Sequence, residues 1–208
     1  MKVAIVGYGN MGSALASGLA KAGHTVALTG KNPAKAKEVA AKAGAQALTG
    51  AEAAQGADVI IATAPYNAQV DALKALGNLS GKVVIEISNP LKADMSGLQL
   101  GHSTSAAEEI AKQLPGVKVV KAFNTTFAQV LQAGPDFNGA KGQVFFAGDD
   151  AGAKNQVKAL IESLGFEATD AGPLANSRYL EPIGMLNIWF GYMAEKGTGI
   201  TPAWIRRG

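Results

Sequence analysis

Three glycines near the start of the chain have a spacing that suits the binding of phosphate groups. Gly7, Gly9 and Gly12 follow a short apolar run, residues 3–6, and precede an alanine-rich stretch that begins at Ser13. At this spacing the first glycine permits a tight turn, the second lets a pyrophosphate approach the backbone, and the third lets a helix pack closely on the strand. The N–H groups and the dipole at the start of that helix favour negative charge.

The strand before the glycine motif and the helix after it are the context that dinucleotide binding requires. A glycine-rich turn with a purely structural role is the alternative, and the context favours the dinucleotide site. The loop residues that we predict to contact the cofactor are Gly7, Tyr8, Gly9, Asn10, Met11 and Gly12.

The loop after the second predicted strand indicates which dinucleotide is bound. A carboxylate about twenty residues after the glycine loop would bind the ribose 2′-hydroxyl of NAD, whereas basic groups accommodate the 2′-phosphate of NADP. Residues 29–35 contain two lysines and no carboxylate, and Asn32-Pro33 begins the next helix. We therefore predict NADP, although the lysines could also be merely solvated. The predicted contacts are Thr29, Gly30, Lys31, Asn32 and Lys35.

Further candidates follow later strands, because ligands of open α/β sheets bind at the carboxyl ends of the strands. The buried-strand pattern of residues 58–65 ends at Pro65, so Ala64, Pro65 and Tyr66 are predicted to border the nucleotide. Tyr66 could equally be a surface aromatic residue.

Short polar side chains mark the ends of two more strands, residues 82–88 and 117–123. Ser88, Asn89 and Asn124 are the candidates for contact with the reacting ring, and Asn89 is also predicted to bind the cofactor. These positions offer no Ser/Tyr/Lys or Cys/His catalytic set. The chemistry that they suit is hydride transfer, in which the protein supplies orientation and electrostatics.

Composition excludes several other classes. The 208 residues are 48% hydrophobic and 17% charged, as in a globular protein whose sheet is covered on both faces. The net charge of +3 comes without a basic cluster, so we expect no nucleic-acid partner. Without cysteine, and with His24 and His102 far apart, we expect no metal site. No stretch of eighteen apolar residues occurs, so we expect a cytoplasmic protein that does not span a membrane.

The elements that must position these residues form repeated strand–helix units. We predict one NADP-binding domain over residues 1–208: a doubly wound, mostly parallel Rossmann-type α/β sheet of six or seven strands, with a short C-terminal helical appendage. Residues 92–104 are predicted to form an exposed loop, a candidate lid. Residues 174–208 contain a long apolar helix over 176–194, which we interpret as capping the pocket or forming a homodimer interface, and a tail with Trp204, Arg206 and Arg207.

The combined motifs resemble those of the coenzyme F420-dependent NADP oxidoreductases and of the cytosolic domains of STEAP ferric reductases. The motifs that carry this resemblance are residues 7–12, 30–35, 64–66, 88–91, 105–108, 121–125, 148–150 and 170–174. The resemblance implies hydride transfer between NADP and a deazaflavin- or flavin-like ring. It further implies that Lys31 and Lys35 hold the 2′-phosphate and that the Ala128 N–H meets the nicotinamide carboxamide.

One position departs from the archaeal members of that family, which carry histidine where this chain has Asn124. The Phe-Asn-Thr sequence here is more similar to the STEAP branch. The partner substrate is therefore expected to be a small electron carrier: F420, a flavin, a quinone or a ferric chelate. A reductase of imines or hydroxy acids and a redox-sensing module that binds NADP without turnover are the alternatives.

Overall fold

Short apolar runs form the strands of a central sheet in the computed structural model, which describes residues 1–205 and 207. The eight strands of this sheet are β1 (Lys2–Val6), β2 (Thr25–Thr29), β3 (Gln46–Ala47), β4 (Val59–Ala62), β5 (Val83–Glu86), β6 (Lys118–Ala122), β9 (Gln143–Gly148) and β10 (Glu167–Asp170), while β7 (Asp136–Phe137) and β8 (Ala140–Lys141) pair as a separate hairpin.

The strand order is β3-β2-β1-β4-β5-β6-β9-β10. The six strands from β3 to β6 are parallel, as in a doubly wound Rossmann-type sheet. Strand β9 runs antiparallel to β6 and parallel to β10. The sheet is therefore mostly parallel, as predicted, and the carboxyl ends of β1, β4, β5 and β6 meet at one edge.

Eight α-helices in the described residues connect and cover the strands. They are α1 (Asn10–Lys21), α2 (Pro33–Ala43), α3 (Gly50–Gly56), α4 (Tyr66–Lys74), α5 (Ala106–Gln113), α6 (Ala128–Ala133), α7 (Ala151–Ser163) and α8 (Ser177–Ile188). A 3-10 turn (Leu174–Asn176) precedes α8, and a π-helical turn (Trp189–Met193) follows it.

Alternate residues along each strand pack into two apolar cores, one on each face of the sheet. Val3 and Ile5 pack in the core that α1, α2, α6 and α7 cover, whereas Ala4 and Val6 pack in the core that α3, α4 and α5 cover. Because side chains alternate across a strand, burial of both faces explains why these strands are continuously apolar.

The number of strands and the end of β4 differ from the predictions. The main sheet has eight strands instead of six or seven, and the hairpin of β7 and β8 adds a pair too short for a recognisable pattern. Its turn has a sequence signal, Asn138-Gly139, with φ values of +54° and +89°. Strand β4 ends at Ala62 instead of Pro65, which caps α4 with an extended ψ of 148°.

The C-terminal segment forms the predicted helical appendage, although the helix over 176–194 is not uniform: it divides into the 3-10 turn, α8 and the π-helical turn. Beyond it the tail packs back on β9, because the Gln143 carboxamide donates to the Trp204 carbonyl (3.1 Å) and accepts from the Trp204 N–H (2.9 Å). The tail residue Arg206 and the last residue, Gly208, lie outside the described residues.

None of the helices in the described residues has the length and apolar character that crossing a membrane requires. Among these residues, no group of three or more His, Asp or Glu side chains is arranged to hold a metal ion. His24 instead packs in a surface loop, where its ring nitrogens hydrogen-bond the Met1 amine (3.1 Å) and the Ser163 hydroxyl (2.9 Å).

Candidate functional site

The glycine loop joins the carboxyl end of β1 to the start of α1. Gly7 has φ +118°, and a Cβ at Gly7 would overlap the Thr63 hydroxyl, while a Cβ at Gly12 would overlap the Gly7 carbonyl oxygen. Gly9 differs, since its φ is −72° and a Cβ there would meet nothing within 4 Å. Gly7 and Gly12 are thus required by the fold, whereas Gly9 leaves open space at the start of a twelve-residue helix without a side-chain cap.

Tyr8 links the glycine loop to the loop after β2. Its ring lies over Gly30, where a Cβ would overlap the ring, and its hydroxyl accepts a hydrogen bond from the Asn32 N–H (3.1 Å). Asn32 in turn caps α2 by accepting from the Lys35 N–H (3.0 Å). These contacts hold residues 30–35 beside the glycine loop.

The two predicted lysines differ in their surroundings. The Lys35 ammonium pairs with Glu38 (3.0 Å), which also pairs with Lys42 (2.8 Å), and hydrogen bonds from Lys42 and Lys35 lower the pKa of Glu38 to about 2. Within the described residues Lys31 forms no ion pair. A phosphate group can therefore contact Lys31 without competition from a carboxylate.

The end of β4 is held by side chains from both sides. The Thr63 hydroxyl donates to the Val6 carbonyl (3.0 Å), and the Gln69 amide donates to the carbonyls of Ala62 (3.0 Å) and Ala64 (3.1 Å). Tyr66 begins α4 and is half-buried. Its ring packs against the apolar core that α3, α4 and α5 cover. Burial raises the pKa of Tyr66, as do the negative charges of Glu109, Glu181 and Glu86.

A cavity of about 280 Å³ lies at the ends of β5 and β6, between the glycine loop and α8. Five of the predicted site residues line it: Asn10, Met11, Asn89, Asn124 and Ala128. Leu91 and Met95 also line it, which places the start of the predicted lid loop at the cavity. Ser88 is absent from this lining and lies immediately before Asn89.

A pair of carboxamides forms one wall of the cavity. The Asn124 amide donates to Asn89 Oδ1 (2.9 Å) and to the Leu180 carbonyl (2.8 Å), while the Asn89 amide donates to the Asn124 carbonyl (2.8 Å). Gly184 of α8 packs directly on this pair, since a Cβ there would lie 2.5 Å from Asn89 Oδ1. Only glycine lets α8 approach so closely.

The end of β6 carries backbone strain and unpaired polar atoms. Phe123, 1% exposed, has φ +61°, a conformation that costs a bulky residue on the order of 1–3 kcal/mol and that clusters at functional sites. Three following side-chain oxygens, Asn124 Oδ1, Thr125 Oγ1 and Thr126 Oγ1, are buried without a hydrogen-bond partner in the described residues. Such groups are costly in a native protein, which indicates that this end of the strand is built for a ligand.

The described residues that line the cavity include one ionisable side chain, Tyr192. It lies on the rim, 56% exposed, with its ring edge-on to Phe127 at 5.7 Å between centroids. No carboxylate, lysine, arginine or histidine of the described chain is among the lining residues.

Three residues near the cavity were not predicted from the sequence: Glu181, Gly184 and Asn187. Glu181 lies behind the cavity, Gly184 packs on the carboxamides, and the Asn187 amide donates to the Thr125 carbonyl (3.1 Å). Their spacing of three places them on one helical face. Polar and small residues repeated on one face of an otherwise apolar helix are the signal that could have identified them.

The order of the strands, the open Gly9 loop and the basic loop after β2 define the class of Rossmann-type NADP-dependent oxidoreductases. A family model described as "NADP oxidoreductase coenzyme F420-dependent" matches residues 2–90. The F420-dependent NADP reductase of Methanothermobacter marburgensis is 32% identical over 207 residues, which cover 90% of this chain and 91% of that protein. The chain belongs to the family of F420-dependent NADP oxidoreductases.

Other relatives extend this picture. Metalloreductase STEAP3 of Rattus norvegicus is 34% identical over 90% of this chain, and the chain spans only 38% of that relative's length. A crystal structure of a candidate F420-dependent NADP-reductase from Arthrobacter sp. FB24 has a TM-score of 0.87 and 28% identity, covering 99% of this chain and 100% of the other. An imine reductase from Pseudomonas sp. has a TM-score of 0.67 at 22% identity over 93% of this chain and 62% of its own, a likeness of fold alone.

Proposed function

We propose that this protein binds NADP(H) and transfers a hydride between its nicotinamide and a flat, conjugated electron carrier of the deazaflavin or flavin type. The observation that carries the proposal is the chemical character of the cavity at the ends of β5 and β6. Its described lining combines carboxamides and hydroxyls with apolar side chains and has no strong acid or base.

The surroundings of the glycine loop fit the proposed cofactor. The open space at Gly9 admits a diphosphate to the start of α1. Lys31 lies on the neighbouring loop that Tyr8 holds, and Lys35 lies in the first turn of α2. Thr29 at the end of β2, Gly30 and Asn32 lie on the same side of the proposed site, and residues 64–66 border the nucleotide. When bound, NADPH supplies the hydride, and Asn89, Asn124 and the Ala128 N–H orient the nicotinamide end in the cavity.

The character of the cavity favours a ring acceptor over an imine or a ketone. Reduction of an imine or ketone places a proton on nitrogen or oxygen, and an enzyme supplies that proton from a positioned general acid. Hydride transfer between two stacked rings requires chiefly orientation and a fixed electrostatic environment. The buried carboxamides supply that orientation, and solvent protonates the reduced carrier. We place this reaction in the cytoplasm, where NADPH is maintained.

An anaerobic stopped-flow experiment tests the acceptor class. NADPH oxidation is followed by its absorbance against F420, FMN, FAD, a quinone, a ferric chelate and a cyclic imine. We expect rapid transfer to at least one ring carrier, none to the imine, and unchanged rates for Tyr192→Phe. Turnover of the imine that depends on Tyr192 would identify an imine reductase instead. Tight NADPH binding with no acceptor would favour the redox-sensing module.

We further propose that two copies of the chain associate through α8. Tyr179, Leu186 and Trp189 are 67%, 52% and 47% exposed, and with exposed Pro182 they repeat at intervals of three, four and three residues. This spacing makes the apolar seam of paired helices, and a two-fold axis brings identical seams together. The groove beside it, about 620 Å³ and lined by Leu98, Leu100 and Met185 among others, can receive the partner helix.

The predicted dimer is checked by light scattering. We expect the native chain to have the mass of a dimer and Leu186→Glu/Trp189→Glu to be a folded monomer, because the two carboxylates would be buried without partners at the seam. The matched control, Lys21→Glu on α1 with Lys158→Glu on α7, changes more charge at exposed positions away from the seam and should remain dimeric. A native monomer at micromolar concentration would contradict the proposal.

A further inference from the structure

A fully buried cluster of charges lies directly behind the cavity. Lys121, Glu86 and Glu181 are 0%, 0% and 1% exposed, and the Lys121 ammonium contacts Glu86 Oε2 at 2.5 Å and Glu181 Oε1 at 2.8 Å. The three residues come from β6, β5 and α8, so the cluster joins the elements that form the cavity.

The cluster holds both backbone polar groups of Ser88. Lys121 Nζ donates to the Ser88 carbonyl (2.5 Å), and the Ser88 N–H donates to Glu86 Oε1 (2.6 Å). Ser88 immediately precedes Asn89, whose carboxamide pairs with that of Asn124. The position of the carboxamide wall is therefore set by contacts that Lys121 and Glu86 make one residue away.

The same cluster sets the position of α8. Glu181 accepts hydrogen bonds from the N–H groups of Ala106 (3.1 Å) and Ala107 (3.4 Å) at the start of α5, in addition to its contact with Lys121. One turn further along α8, Gly184 rests on the Asn89 and Asn124 carboxamides. The contacts of Glu181 therefore fix α8 one turn before the part of the helix that lines the cavity.

Stability alone does not explain such a cluster. Buried ion pairs contribute little net stability, and well-packed apolar residues of similar volume often replace them without loss. This cluster also holds two carboxylates against one ammonium, and burial raises the pKa of Glu181. The free-energy cost of burying these charges arises next to the strand ends, whose positions must be fixed to a fraction of an ångström for hydride transfer.

We propose that Lys121, Glu86 and Glu181 are positioning residues that fix the Asn89–Asn124 carboxamide pair, and through it the nicotinamide ring. This proposal rests on the proposed function, since the carboxamides orient the ring that donates the hydride. The cluster itself does not contact the reacting atoms.

The test is the neutral variant Glu86→Gln/Lys121→Met/Glu181→Gln. Each glutamine keeps an acceptor for the Ser88 or Ala106 N–H, whereas methionine fills the lysine volume without donating to Ser88. We expect the single-turnover rate of hydride transfer to fall by about 10- to 100-fold, with the Kd for NADPH changed by less than about threefold because the glycine loop is untouched. Fluorescence of bound NADPH should report a more mobile nicotinamide ring.

Controls separate positioning from loss of stability. Leu160→Ala, in the core beneath α7, lowers the melting temperature without touching the cavity and should leave the rate unchanged. If the triple variant does not fold, the single variant Glu181→Gln tests the proposal. We expect its single-turnover rate of hydride transfer to be about three- to tenfold lower than that of the native protein. A folded variant with native rate and native fluorescence overturns the proposal.

The two proposals fail in distinguishable ways. If the native protein binds NADPH but reduces no acceptor, the proposed function fails, and the fluorescence of bound NADPH still decides whether the cluster positions the ring. If the native protein binds no NADPH, both proposals are overturned.

Discussion

Replacing Gly9 with alanine is expected to abolish nucleotide binding and to leave the fold unchanged. The φ of Gly9, −72°, is ordinary for alanine, and a Cβ there meets no protein atom within 4 Å. The same methyl group would occupy the space through which a diphosphate reaches the α1 amides. Loss of two charge-assisted hydrogen bonds, each of about 1.5–3 kcal/mol, corresponds to a rise in Kd of at least about 100-fold.

Titration calorimetry with NADPH and thermal unfolding measure the two halves of this prediction. Gly56→Ala is the matched control, because a Cβ at this last residue of α3 also meets nothing within 4 Å and lies away from the loop. Gly12→Ala provides the opposite contrast: its Cβ would overlap the Gly7 carbonyl, so the protein itself should lose stability. Native affinity in Gly9→Ala would show that the phosphates bind elsewhere.

Replacing Lys31 and Lys35 together with alanine should convert the preference for NADP into one for NAD. Lys31 lies on the loop that Tyr8 holds beside the glycine loop, and Lys35 lies in the first turn of α2, which Asn32 caps. Their ammonium groups have no role toward the 2′-hydroxyl of NAD but would pair with a 2′-phosphate. Two such contacts predict a rise of about 100-fold or more in the Kd for NADP, with the Kd for NAD within about threefold of native.

Lys37→Ala/Lys42→Ala removes the same amount of charge farther along α2 and separates a local contact from a general electrostatic effect. It should weaken NADP binding only slightly and in a salt-dependent manner, since exposed charges are screened at physiological ionic strength. The prediction would be contradicted if the Lys31/Lys35 variant lost equal affinity for NADP and NAD. It would also be contradicted if the native protein had a lower KM for NAD than for NADP.

Local sequence patterns specify the start of a helix where the hydrogen-bonding residues lie within one helical turn of each other. Thr49 and Glu52 form the reciprocal capping box at the start of α3, and Asn32 caps α2 with Pro33 as its first residue. The start of α5 instead uses a partner from elsewhere in the chain. The Ser105 hydroxyl accepts from the Glu108 N–H (3.2 Å), but the Glu108 carboxylate also binds Arg178 of α8, a partner seventy residues away.

Reversal of β9 shows a second limit of sequence patterns. All six residues of β9 are buried, and burial is satisfied equally by either strand direction. Direction depends on the connection: the short α6 and the β7–β8 hairpin return the chain to the same end of the sheet, so β9 pairs antiparallel with β6. That connection has little hydrophobic periodicity from which its path could be predicted.

The amino-acid sequence by itself determined the glycine loop, the helix that follows it and the basic loop after β2, because each depends on residues close together in the chain. Only the tertiary structure decided how the cavity at the ends of β5 and β6 is built. Asn89, Asn124 and Gly184 meet because two strand ends and a distant helix converge, and the charges of Glu86, Lys121 and Glu181 are tolerated only because that convergence buries them together. Contacts between residues far apart in the chain depend on how the elements pack, and single-sequence periodicity carries no information about that packing.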